Sequence, residues 1–302
     1  RLTASALSDL AEVELGGMAR LAETAQQARS GPLLLLSGPR QGLPCRWTLL
    51  GLGRLGSREM CYHSDLDIVL VYEGAARPAW DSLSGGQSDS HQYFTELARS
   101  IIRTSSGSSG SGRLYQIDMR LRPDGRSGAL VASFPDFLRH HEAGNTERLW
   151  EKLALVRARP VAGDIAFGEE LMVELNRLRS NQAWPEGGVA EVMAMRQRLE
   201  ASRTAGDLKR GPGGLVDIEF IAQALQLRHA SRLSRAVQPG TVQALESLAE
   251  AGILSAEAAR ELVAAHDFLS RCLFSLRLAH NRQTDEWPRG DTPESREVAR
   301  LR

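Results

Sequence analysis

A chain of 302 residues has room for one large domain or two ordinary ones, and its 42% hydrophobic and 25% charged residues are those of a globular protein. Its 37 basic and 37 acidic residues cancel, which argues against broad electrostatic attraction to nucleic acid or to an anionic membrane and leaves only local basic grooves. Cys45, Cys61 and Cys272 lie far apart without a C-x-x-C pair, and no apolar run approaches the ~20 residues of a membrane span; free thiols, a reducing cytoplasmic location and no membrane partner are expected.

The chain begins with Arg rather than Met, already in a helical pattern, and reads as part of something longer or as a processed form. Residues 4–28 form an amphipathic helix in which Leu7, Leu10, Val13, Leu15, Met18, Leu21 and Ala22 recur near helical spacing. A strand is predicted over 46–52, followed by a turn at Gly51, Gly53 and Gly56 and a short helix from Ser57. "DLDIVLVY" (65–72) is the clearest strand, a helix follows over 91–103, and "TSSGSSGSG" (104–112) is low-complexity and solvated. "RLYQIDMRLRP" (113–123) reads as a further strand ended by Pro123. Beyond it, helical patterns cover 134–143, 145–158, 165–180, 189–204, 215–230, 241–252 and 255–281. The layout is α+β, a small mixed sheet with flanking helices over 1–162, then an all-α bundle over 163–302.

The chemistry gathers on two strands. Side chains two apart share a face, so Asp65 and Asp67 project together with Val69 and Val71, and Leu66, Ile68 and Leu70 take the other face. Two carboxylates that close repel unless a cation or a proton lies between them. Mg²⁺ suits the place, because it takes oxygen ligands from one or two carboxylates together with substrate phosphates. Strand 113–123 repeats the arrangement, with Tyr115, Ile117, Met119 and Leu121 on one face and Gln116, Asp118, Arg120 and Arg122 on the other. Set beside the first strand, it supplies Asp118 as a third carboxylate and places Arg120 and Arg122 along the path of a triphosphate. Two metal ions held so would clamp the attacking and leaving oxygens of a phosphoryl-type displacement.

The turn "GRLGS" suits an anion: Gly56 lets the backbone approach a phosphate and Ser57 can donate a hydrogen bond. In "KRGPGGLVDIEF", Gly213, Gly214 and Glu219 either serve helix entry and packing or face the cleft and position substrate. Trp150, Leu153 and Val156 read as core, Arg157 and Arg159 as core-flanking cations within possible reach of phosphate. His63 reads as an exposed turn residue, and His140 and His141 as surface residues on a helix.

With these motifs in hand, the blocks "GRLGSREMCYHSDLDIVLVYEG", "LYQIDMRLRPDGRSGALVASF", "WEKLALVRARPVAGD" and "DLKRGPGGLVDIEFIAQALQLRHA" resemble, in order, those of the glutamine synthetase adenylyltransferase family. The resemblance covers most of residues 46–230, and the tail "NRQTDEWP" extends it. It implies a nucleotidyltransferase (polymerase-beta-like) fold with a helical domain behind it. Family enzymes carry two such halves, one moving AMP from ATP to a tyrosine of glutamine synthetase, the other removing it by phosphorolysis to give ADP, under control of the PII signalling protein. By position, Asp65 and Asp67 match the family's metal pair, Asp118 the third carboxylate, and Gly56 and Ser57 the nucleotide-binding turn, where Ser57 stands for the family's commoner Gly. "VDIEF" and "NRQTDEWP" look more like the C-terminal, adenylylating half. The deadenylylating half, a nucleotidyltransferase for a small molecule or RNA, and a nucleotide-binding regulatory module without turnover are the alternatives; three retained aspartates speak against the last.

Overall fold

The computed structural model describes residues 1–79, 90–106, 115–142, 148–233, 237–288, 290 and 293–300. Its centre is strand β3, Leu66–Tyr72, whose alternation buries both faces in different places. Leu66, Ile68 and Leu70 pack into one apolar cluster, Val69 and Val71 into another, as the period of two requires. Strand β2, Trp47–Gly51, runs antiparallel beside it, with Leu49 opposite Leu70. On the other edge β3 takes two short parallel partners, β5 (Ile117–Asp118) and β6 (Val131–Ser133). Strand β7, Arg159–Gly163, adds to the far side of β2 and completes the order β5-β3-β2-β7. β1 (Leu33–Leu35) and β4 (Ala76–Pro78) form a separate antiparallel pair.

Helices cover both faces. α1, Leu2–Ser30, lies on the first cluster, but not with the face its large residues suggest. Leu10, Val13 and Leu21 are exposed, and the buried stripe is Ala4, Ser8, Ala11, Leu15, Met18, Ala19 and Ala22. Small residues there let the helix lie close against its neighbours, a packing demand that hydrophobic counting misses. α3, Ser90–Ser106, brings Tyr93, Phe94, Leu97 and Ile101 to the same cluster, with Phe94 stacked on Tyr72 at 4.7 Å. α4 (Phe134–His140) and α6 (Ile165–Asn181) cover the second cluster through Phe137, Leu171 and Leu175. The bundle comprises α7 (Gly188–Ala201), α8 (Leu215–Arg228), α9 (Thr241–Glu250), α10 (Ala256–His280) and α11 (Pro293–Arg300), and α5 (Leu149–Leu155) from the preceding part packs onto it. It meets the sheet unit directly: Cys61 is buried with Leu215, Leu273 and Leu276.

Two local expectations need correction. The strand drawn over 113–123 is a strand only at Ile117–Asp118 among the described residues, because the Asp118 carboxylate accepts the Arg120 N–H at 2.8 Å and turns the chain out of the ladder. Met119 then packs in the first cluster and Leu121 against the second, so the alternating face of Asp118, Arg120 and Arg122 does not persist. The short helix expected from Ser57 instead occupies Gly53–Gly56 as α2 and ends at Ser57, whose Oγ donates to the Gly53 carbonyl at 3.0 Å. Of the low-complexity stretch 104–112, residues 104–106 are not a solvated loop but the last turn of α3, where Ser105 is buried and its Oγ donates to the Tyr115 carbonyl at 2.6 Å, and 107–112 lie outside the described residues.

Gly56 fits where nothing larger can. A Cβ on it would collide with the carbonyl oxygens of Arg157 and Gly51. Gly56→Ala is therefore expected to lower stability by roughly 2–3 kcal/mol, read as a drop in melting temperature, since the obstacle is backbone rather than a movable side chain. An unchanged melting temperature would contradict this packing.

Candidate active site

β3 and β5 place Asp67 directly opposite Asp118 in parallel register. Asp65 stands just ahead of β3, half-buried. α2 closes over the pair: Leu52 N–H donates to the Asp67 carbonyl at 2.8 Å, and a Cβ on Gly53, which sits at φ +51°, would run into Asp67 Oδ2. Only glycine admits the carboxylate there. Burial, then the charge of Asp118, and then that of Asp65 push the Asp67 carboxyl up to about 6, against the opposing pull of Lys209 and Arg120.

Asp118 has an internal counter-ion. The Arg120 guanidinium grips both its oxygens, with Nε at 2.9 Å from Oδ1 and 2.7 Å from Oδ2. The arginine's side chain is 56% exposed and the aspartate's 10%, so the cation reaches in from solvent. A cavity of about 620 Å³ opens over this pair, walled by Asp67, Asp118, Arg120, Arg148 and Trp150 among others.

The remaining predicted residues lie differently. Gly56 N–H donates to Leu52 O at 2.8 Å and Ser57 N–H to Gly53 O at 3.2 Å, so both amides serve α2 itself. Arg122 donates to the Met119 carbonyl at 2.6 Å, and burial pulls its pKa down. Gly213 N–H donates to Asp217 Oδ2 at 2.6 Å, which in turn grips Arg196; Gly214 precedes α8. Neither glycine lines the cavity over the aspartates; from the same turn it is the charge of Lys209 that reaches Asp67.

Sequence reasoning missed what joins the two units. Glu59, just past α2, accepts from Thr241 N–H at 2.7 Å and Thr241 Oγ1 at 2.9 Å at the head of α9. Arg157, 4% exposed, donates to Thr241 Oγ1 at 2.7 Å and lies 3.4 Å from Glu59 and 3.6 Å from Glu219 of α8. Glu219 also faces Arg54 of α2 at 3.8 Å. Burial works against its charge, yet Arg157, Arg54 and Lys209 outweigh it and hold the carboxyl below its usual range. Arg159 is spent as well, donating to the Gly56 carbonyl at 3.0 Å and pairing with Glu12. Neither arginine is left for phosphate. Partners 62 to 182 positions apart leave no local pattern to read.

His63 is exposed, with φ at 56°. His140 and His141 are not surface residues: α4 ends there, His141 is buried edge-on to Phe137, and His140 Nε2 lies 2.6 Å from the buried Glu151 of α5. A helix end folded under the next helix hides both rings. Among the described residues, these three form the one group whose donor atoms all lie within 4.8 Å of each other; the three aspartates are spread more widely.

A small mixed sheet carrying opposed aspartates, with an all-α bundle packed behind it, is the nucleotidyltransferase architecture with an appended helical domain. The family description of glutamate-ammonia ligase adenylyltransferases matches residues 2–173, more than half of the chain, and the chain belongs to that family. Residues 189–301 match the description of the GlnD PII-uridylyltransferases. Among curated proteins, the bifunctional glutamine synthetase adenylyltransferase/adenylyl-removing enzyme of Nitrosococcus oceani is 35% identical over 289 residues, 93% of this chain and 29% of that protein. The enzymes of the same name from Thioalkalivibrio sulfidiphilus and Chromobacterium violaceum are 36% and 37% identical, over 83% and 80% of this chain and 26% of each of those proteins. The chain thus spans between a quarter and a third of the length of these relatives.

Asp67 provides a test of the site's electrostatics. A carboxyl raised in the folded state stabilises the fold below its unfolded pKa of ~3.9, and that contribution is lost as pH rises through about 6. In metal-free protein, Asp67→Asn should therefore melt like the wild type near pH 4 and several degrees higher at pH 8. A variant that melts lower at pH 8 would contradict the crowding of charge.

Proposed function

We propose that the chain is a nucleotidyl-transfer unit that moves AMP from ATP to a tyrosine of glutamine synthetase, acting in the cytoplasm in control of nitrogen assimilation. The observation that carries this reading is the register of Asp67 against Asp118, with Asp65 two residues upstream, inside a fold of this family. Asp65, Asp67 and Asp118 are proposed as the metal-holding carboxylates. Their donor set fits Mg²⁺: it is all oxygen, and burial together with the charges of Asp118 and Asp65 raises Asp67 despite Lys209 and Arg120, so the carboxylates are not fully offset by the cations around them. When bound, Mg²⁺ would neutralise these carboxylates and the phosphates of ATP.

The chain's own residues do the rest. One carboxylate of the set accepts the proton of the attacking hydroxyl. Arg120, mostly exposed, is able to leave Asp118 and follow the phosphates, and Arg148 adds a second cation at the cavity wall. Lys209, in the turn before Gly213 and Gly214, bears a charge felt at Asp67, and we assign it to offset the charge of the departing pyrophosphate. The sheet unit over 1–162 thus supplies the acids, and the helical part from 163 supplies Lys209 and, through Glu219 and Thr241, the hold on α2. Gly56, Ser57 and Arg122 act from behind the aspartates, Gly56 and Ser57 by closing α2 and Arg122 by holding the turn after Asp118. The PII protein is proposed as regulator on the family resemblance alone. "VDIEFIAQ" and "NRQTDEWP" favour the adenylylating over the deadenylylating half.

Incubation with glutamine synthetase, ATP labelled in its α-phosphate and Mg²⁺ should put label on the synthetase, and Asp118→Asn should lower the rate at least about a hundredfold. A parallel reaction of adenylylated synthetase with phosphate should give little ADP. Rapid ADP formation without forward labelling would assign the deadenylylating half instead, and near-normal turnover by Asp118→Asn would remove that residue from the site.

A further inference from the structure

The corner between α4 and α5 holds a second cluster that nucleotidyl transfer does not use. His140 ends α4, and His141 follows it at φ −94°, ψ 6°, outside the helix. That break swings two consecutive side chains, which a continuing helix would splay apart, into edge contact, their ring centroids 4.9 Å apart. Glu151, in the first turn of α5, comes up beneath them and is only 2% exposed. Two imidazole nitrogens and one carboxylate oxygen then lie within 4.8 Å of each other.

We propose that His140, His141 and Glu151 form a site for a divalent transition-metal ion, of which Zn²⁺ is the best match. Two nitrogens and one oxygen are the donors of a borderline cation, whereas the all-oxygen aspartate set suits a hard one. A tetrahedral ion with bonds of ~2.0–2.2 Å needs its donors within roughly 3.5 Å of one another, so small side-chain rotations suffice. The ion takes the place of the hydrogen now shared between His140 Nε2 and Glu151 Oε2 at 2.6 Å. A partly open cavity of about 30 Å³ against His141 has room for one water. The nearby cations are engaged elsewhere: Lys152 Nζ donates to Gln182 Oε1 at 2.7 Å, and Arg179 to the Leu155 carbonyl at 2.6 Å. Glu151 directly follows Trp150 and lies three residues past Arg148, both on the wall over Asp67 and Asp118. An ion here pins that wall to the end of α4.

The test uses protein freed of metal by a chelator and then titrated with Zn²⁺ alone. The expected result is one tight site per chain, a higher melting temperature, and an X-ray absorption spectrum with two imidazole nitrogens bound to zinc. Asp67→Asn should keep that site, which separates it from the aspartates. His140→Gln, which retains a donor to Glu151 and tests an only partly buried side chain, should lose the tight site while its far-ultraviolet circular dichroism stays native. Glu151→Gln should do the same. No tight zinc, zinc without imidazole in its shell, or undiminished binding by a folded His140→Gln would overturn the proposal and leave a plain buried His–Glu hydrogen bond.

Discussion

Two aspartates face each other across adjacent parallel strands, Asp67 on β3 and Asp118 on β5, and much of the chain answers to that juxtaposition. Like charges so placed in a half-buried cleft oppose folding unless something offsets them. In this structure three devices do so. Asp67 is pushed up to about 6, Arg120 reaches back to Asp118, and the charge of Lys209 approaches from the helical side. Each is partial, and carboxylates left short of positive charge are what a divalent cation suits.

The same site explains the extent of the hydrogen-bonded joint between sheet and bundle. α2 is only four residues long, yet it positions Gly53 against Asp67 and is held from behind by Arg159 through the carbonyls of Leu55 and Gly56. Arg54 and Glu59, at and just beyond α2, contact Glu219 and Thr241 of the bundle directly, and Arg157 bridges Glu59, Thr241 and Glu219. Removing one member of such a buried network strands its partners, at a cost of about 3–5 kcal/mol for a charged group. The bundle is therefore part of the seat of Asp67, and the two units are not independent in stability.

The faces of β3 were legible because strand periodicity is strict: the partition of Leu66, Ile68 and Leu70 from Val69 and Val71 follows from spacing alone. That Asp67 meets Asp118 was legible because each carboxylate stands on a short apolar strand and the two strands pair side by side. The course of the chain after Asp118 was not, because a side chain that accepts its own turn's amide overrides an alternating pattern. The face of α1 was hidden because close approach favours alanine over leucine, and β6 and β7 because three to five residues beside Pro and Gly carry little periodicity. The roles of Glu59, Thr241 and Arg157, and the burial of His140 and His141, depend on contacts between distant elements or at a helix end, which no local window contains.

The claim that a crowded carboxylate pair awaits a cation is tested most directly by titration calorimetry of Mg²⁺ in two buffers of different ionisation enthalpy. Near pH 6 the binding should release up to about half a proton from Asp67, falling toward none by pH 8, and Asp118→Asn should weaken the binding and diminish the release. Binding at pH 6 that releases no proton and is unaffected by Asp118→Asn would contradict the account.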